Sequence, residues 1–183
     1  MFPTFEARSM FRSILAGIVL MATTATGFAG SSDAFLKHID GRWIGPGEIV
    51  AGKYKGTRFT CDLAGGTENR PSSMELDGTC RVGLFSQKMT AKVSHNGSTY
   101  QGAFLDGAKG AGLDISSGVI EGDRMVFGLD RKSLNGAMVA RMESRDALNV
   151  TISVKVDGKL VPVLGMKLKR EAGSVRQTAL QED

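Results

Sequence analysis

The sequence predicts an all-β protein, an antiparallel meander of about ten strands closed into a barrel behind one short helix. Three observations carry this. From residue 42 to Arg170 apolar residues recur with period two, the mark of strands with one buried face. Glycine is abundant, 24 of 183 residues, and aromatics make up only 7%, as expected of short strands joined by tight turns. Turn dipeptides fall between the alternating runs, so consecutive strands are hairpin-linked. Such a meander removes its edges by closing on itself; an open β-sandwich is the alternative.

Residues 1–29 read as an export signal. Arg8 and Arg12 form a basic start, Ile14 to Ala22 an apolar stretch, and Gly27-Phe28-Ala29 a small-x-small site, so cleavage is expected after Ala29. The apolar stretch is too short to span a bilayer, and no later window reaches roughly 18 uninterrupted apolar residues. The expected organisation is a signal peptide (1–29), one barrel domain (30–170) and a flexible polar tail (171–183), in the periplasm or secreted medium of a Gram-negative bacterium. The net charge of +4 is small and no basic run has interleaved aromatics, so nucleic acid is not an expected partner.

Ser32 is expected to cap a helix over Asp33 to Asp40, with Phe35, Leu36 and Ile39 on one face and Gly41 ending it. The clearest strand pair follows the alternation Leu148, Val150, Ile152, Val154, Val156, then Asp157-Gly158, then Lys159 to Arg170. Asp-Gly supplies the positive φ angles of a type I′ turn. Asn96-Gly97 is read as the same device between Met89-Ala91-Val93 and Tyr100-Gly102-Phe104, and Gly122-Asp123 as another before Met125-Phe127-Leu129. Gly65-Gly66 and Pro71 are read as a loop.

Cys61 and Cys80 share the inward parity of Phe59 and Leu63, and of Met74, Leu76 and Val82. In an oxidising compartment, with no Cys-x-x-Cys pair, a structural disulfide is the expectation. The chain-entropy model assigns such a bridge about 3 kcal/mol.

Gly41-Arg42-Trp43-Ile44-Gly45-Pro46-Gly47 contains the single tryptophan at the start of the first strand. Gly-x-Trp after an N-terminal helix resembles the entry to calycin-type barrels such as lipocalins, and Gly-x-Trp-x-Gly-x-Gly resembles nitrobindin-type barrels. The resemblance implies that a basic residue of the last strand, here Arg170, lies over Trp43 and closes the barrel. A stacked guanidinium would contribute about 0.5 to 2 kcal/mol. Gly45 and Gly47 are expected to leave room beneath the indole. The Trp-x-Gly-x-Gly start, the two cysteines and the basic end of the last strand also resemble a group of small uncharacterised exported proteins of Gram-negative bacteria, over Gly41 to Arg170. Nitrobindin-type barrels hold haem through a histidine near the C-terminal end of the barrel; none stands there, so no cofactor is expected.

No catalytic constellation emerges, and the chain is read as non-enzymatic. Ser94 and His95 are strand neighbours pointing to opposite faces, no Gly-x-Ser-x-Gly elbow occurs, and His38 and His95 lack ligand spacing. Asp114, Glu121, Asp123 and Asp130 read as turn and solvent-face acids. Gly107-Ala108-Lys109-Gly110-Ala111-Gly112 lacks the Gly-Lys-Ser/Thr and following helix of a phosphate loop. Met89, Phe104, Met125, Phe127, Met138 and Met142 fall on the inner face as candidate ligand-facing residues, since thioethers adapt to irregular apolar ligands. Two functions follow: a monomeric barrel that binds a small apolar molecule, or a filled barrel that contacts an envelope protein or polymer, for example as a protease inhibitor. A cavity of about 300 Å³ or more would favour the first.

Overall fold

The computed structural model describes residues 29–67, 72–105 and 113–173. The export signal through residue 28, Pro71, the glycine-rich 107–112 stretch and the tail beyond residue 173 lie outside the described residues. Helix α1 (Ala29–Ile39) is followed by ten strands: β1 (Gly41–Ile49), β2 (Arg58–Gly66), β3 (Ser73–Val82), β4 (Phe85–His95) and β5 (Tyr100–Leu105), then β6 (Leu113–Glu121), β7 (Arg124–Arg131), β8 (Leu134–Ser144), β9 (Ala147–Val156) and β10 (Lys159–Arg170). Every sequential pair is antiparallel, and β1 pairs with β10, so the sheet is a closed barrel without an edge. Closure excludes the sandwich, because a sandwich would leave β1 and β10 without each other's backbone hydrogen bonds.

The period-two reading places most of the core correctly; Val82 and Val156, which share its inward parity, are exposed because the β3–β4 and β9–β10 strand ends are exposed on both faces. Trp43, Cys61, Leu63, Phe127, Leu129, Leu148 and Leu168 are buried on the inner face, and Phe35, Leu36 and Ile39 of α1 join the same cluster. The helix starts earlier than the cap expected at Ser32: residues 29–33 already lie in it, so Ser32 is an internal residue of the helix. Gly41, at φ 121°, turns the chain from helix into strand.

The turns differ in kind. At Asp157-Gly158 both φ angles are positive, 48° and 79°, which is the type I′ geometry expected. The β4–β5 connection has positive φ only at Gly97, and Asn96 N–H donates to the Thr99 carbonyl at 3.1 Å, so it is a four-residue loop rather than a two-residue turn. Its Asn96 side-chain oxygen accepts from the Thr99 N–H at 3.2 Å, an Asx-type closure that removes the need for left-handed Asn. Gly122 alone carries the positive φ in the β6–β7 turn.

Gly65-Gly66 is not loop but the end of β2, paired with Leu76 and Glu75. The reason is tertiary. A Cβ at Gly65 would lie 2.3 Å from the Ile39 carbonyl oxygen, so glycine there admits the end of α1 against the sheet.

Candidate functional site

Three places in the barrel bear on function: the closed end, the interior and the open end. At the closed end, α1 packs where β1 begins and β10 ends. Trp43 is fully buried (0% exposed), and its indole N–H donates to the Ile39 carbonyl at 2.9 Å. Trp43 and Arg170 are register partners across β1 and β10, and the guanidinium carbon sits 4.4 Å from the indole ring centre. Arg170 has only 11% of its side chain exposed and ion-pairs Asp146 at 3.3 Å. Its Nη1 and Nη2 donate to the carbonyls of Asp40 and His38. The guanidinium therefore caps the C-terminus of α1, whose last carbonyls lack intrahelical donors and carry the negative end of the helix dipole. The resemblance to lipocalin-type barrels implied Arg170 over Trp43 but not at the helix end, because cap partners distant in sequence leave no local signal.

The two glycines after Trp43 serve other neighbours than the indole. A Cβ on Gly45 would meet the Lys167 carbonyl oxygen at 2.0 Å, and one on Gly47 would meet the Phe59 ring at 2.2 Å. Both let β1 approach β10 and β2 closely, so the room expected beneath Trp43 is used for strand packing instead. Outside this end, Arg42 donates to Asp62 at 2.7 Å and pairs with Glu171 at 2.9 Å. The hydrogen bond from Arg42 holds the Asp62 carboxyl below its ordinary range, against partial burial, which pushes it up.

The interior is nearly full. Cys61 and Cys80 are direct partners across β2 and β3, with Cα atoms 4.0 Å apart, and form a disulfide. Beside it lies a void of about 60 Å³, lined only by apolar groups, among them Ile39, Leu63, Met89, Phe104, Met125 and Met138. Four of the six candidate ligand-facing residues thus border it. Phe127 is fully buried against Gly118 and Tyr100, and Met142 packs half-buried on the core; neither lines the void. Sequence parity identifies inward residues but not which of them close on each other.

The acids grouped by sequence do not converge on a metal. Asp114 and Asp130 are cross-strand partners, and hydrogen bonds from Ser116 and Asn135 hold Asp130 below the ordinary carboxylate range. Among the described residues no three His, Cys, Asp or Glu side chains are placed to hold a metal ion. His95 packs its ring against Tyr100 at 4.8 Å, and His38 is exposed on α1. No described helix is long and apolar enough to cross a membrane.

The open end, opposite α1, carries a feature that was not read from sequence: the β3–β4 and β9–β10 hairpins reach past the packed interior. Residues 81–88 and 155–162 are exposed on both strand faces.

Fold and site together define a closed ten-stranded antiparallel barrel, plugged by a helix at one end and stapled by one disulfide. No family model matches the chain, and no curated protein matches it. Among solved structures it is similar to "EF1p2_mFAP2b bound to DFHBI", at 11% identity and a TM-score of 0.47, over 77% of this chain and 100% of that one.

Proposed function

We propose that this chain is an exported, non-enzymatic, calycin-like barrel that works as an interaction protein, with its interior filled by its own side chains and its contacts made from outside. The carrying observation is the size of the interior void, about 60 Å³, against the roughly 300 Å³ or more of small-molecule sites. Export is supported by the basic, apolar and small-x-small pattern of residues 1–29 and by the disulfide, which belongs to oxidising compartments. A Gram-negative periplasm is the compartment proposed, on the sequence resemblance to small exported proteins.

A second reading, a barrel that reshapes around a small apolar ligand, is favoured by one observation. Met74, Met89, Met125, Met138 and Met166 all border the void, and methionine is the side chain that repacks most easily. Native mass spectrometry of protein purified from its producing cells separates the two. The filled barrel gives the mass of the processed chain with one disulfide and nothing bound. A stoichiometric apolar small molecule would overturn the proposal in favour of the second reading.

A further inference from the structure

Ten large apolar side chains stand exposed among the described residues, and nine belong to turns and strand ends at the open end of the barrel; only Val119 lies elsewhere. They sit on four separate connections. Val50 and Tyr54 lie on the β1–β2 loop, and Val82, Leu84 and Phe85 at the β3–β4 tip. Leu134 begins β8, and Val156, Leu160 and Val161 form the β9–β10 tip. Leu84 is fully exposed (101%) and Phe85 nearly so (82%). The turns at the helix end are of opposite character: Asn96-Gly97-Ser98-Thr99, Gly122-Asp123 and Arg145-Asp146 put no large apolar group into solvent.

The described turns at this end are mainly cationic. Segments 50–57, 81–88, 131–134 and 155–162 contain one acid, Asp157, with Glu48 and Asp130 close outside them. Against these stand Lys53 and Lys55 beside Tyr54, Arg81 and Lys88 around Leu84-Phe85, Lys132 before Leu134, and Lys155 and Lys159 around Val156; the Arg131 guanidinium has its Nε and Nη2 buried and does not belong with them. Lys88 also reaches Asp77 at 3.6 Å.

We infer that the open end is a docking surface for an anionic lipid bilayer, with the apolar tips entering the interface and the lysines meeting the headgroup charge. The inference rests on the reading of the barrel as an outward-facing interaction protein. The apolar groups are carried on four separate connections, and a bilayer can receive tips from several connections without a shaped counterpart. Aromatic and aliphatic tips flanked by long cationic side chains match a membrane interface, where rings settle at headgroup depth and lysines extend their ammonium groups back to phosphate. A second copy docked rim to rim would bring the two cationic rims together, which charge repulsion opposes.

Vesicle flotation tests this on the chain purified from its producing cells. Vesicles of phosphatidylcholine with roughly one-third phosphatidylglycerol should carry the protein upward, salt at about 0.5 M should release it, and phosphatidylcholine alone should leave it behind. L84S/F85S and K53E/K55E should each weaken vesicle binding by about tenfold or more, while V119S leaves it unchanged. All of these positions are exposed, and unchanged thermal melts would show that the barrel is intact. No flotation, flotation equal in rim variants and wild type, or flotation insensitive to salt and lipid charge would overturn the inference. So would a wild-type dimer in sedimentation that L84S/F85S dissociates. A small molecule found inside the barrel would instead overturn the filled-barrel reading and leave the flotation result to stand by itself.

Discussion

Replacing Trp43 and Arg170 singly and together tests whether barrel closure and helix docking are one structural unit. Trp43→Ala removes a fully buried indole, a truncation that costs about 3 to 5 kcal/mol. Part of that is the N–H bond to the Ile39 carbonyl, worth about 1 kcal/mol, which Trp43→Phe removes together with part of the buried ring volume. Arg170→Ala removes the cation over the ring, worth about 0.5 to 2 kcal/mol. It also strips the donors from the His38 and Asp40 carbonyls at the helix end, a charge-assisted contribution of about 1.5 to 3 kcal/mol. The expected loss is about 2 to 5 kcal/mol, close to that of Trp43→Ala, because the guanidinium is enclosed rather than wet. Each change also frees α1, so the double variant should be less destabilised than the sum by about 1 to 2 kcal/mol. Urea melts followed by circular dichroism measure all four proteins, since Trp43 is the single tryptophan and fluorescence is lost with it. Additivity within about 0.5 kcal/mol would refute the coupling of strand closure to helix capping.

The remaining expectations concern other parts of the fold. Gly65→Ala should destabilise by about 1 to 3 kcal/mol and shift Trp43 emission, because the new Cβ meets the Ile39 carbonyl at 2.3 Å, whereas Gly66→Ala, with nothing within 4 Å, should be near neutral; equal melts of the two would show that α1 does not dock there. Thiol titration of the denatured, unreduced protein should find no free sulfhydryl from Cys61 or Cys80, and reduction should lower stability by about 3 kcal/mol. Asp62 has its pKa lowered by Arg42, so its contribution is present above the unfolded carboxylate value of about 3.9 and is lost as pH falls through the lower native value. Asp62→Asn should therefore be slightly less stable than wild type at pH 7 and converge with it in acid, a small difference because the pair is half exposed; a gap that widens on acidification would contradict the assignment.

What the sequence by itself determined is whatever is written in local periodicity. Alternation from residue 42 to Arg170 specifies strands and the face each side chain takes, since a slip of one residue would turn an entire apolar set to solvent. It therefore specifies that Cys61 and Cys80 face one interior, and Asp157-Gly158 specifies its own turn. Tertiary structure decided what depends on approach between distant segments. Gly65 reads as a turn residue and is a strand residue because the end of α1 lies against it. Arg170 caps that helix from 130 residues away in sequence. Parity placed Phe127 and Met142 on the inner face beside Met125 and Met138, yet only the latter pair borders the void, because the volume left inside a barrel depends on how all ten strands pack at once. The exposure of Tyr54, Leu84, Phe85 and Leu160 was equally hidden: a meander puts alternate turns at one end, but how far strand ends reach past the packed interior depends on where the core stops.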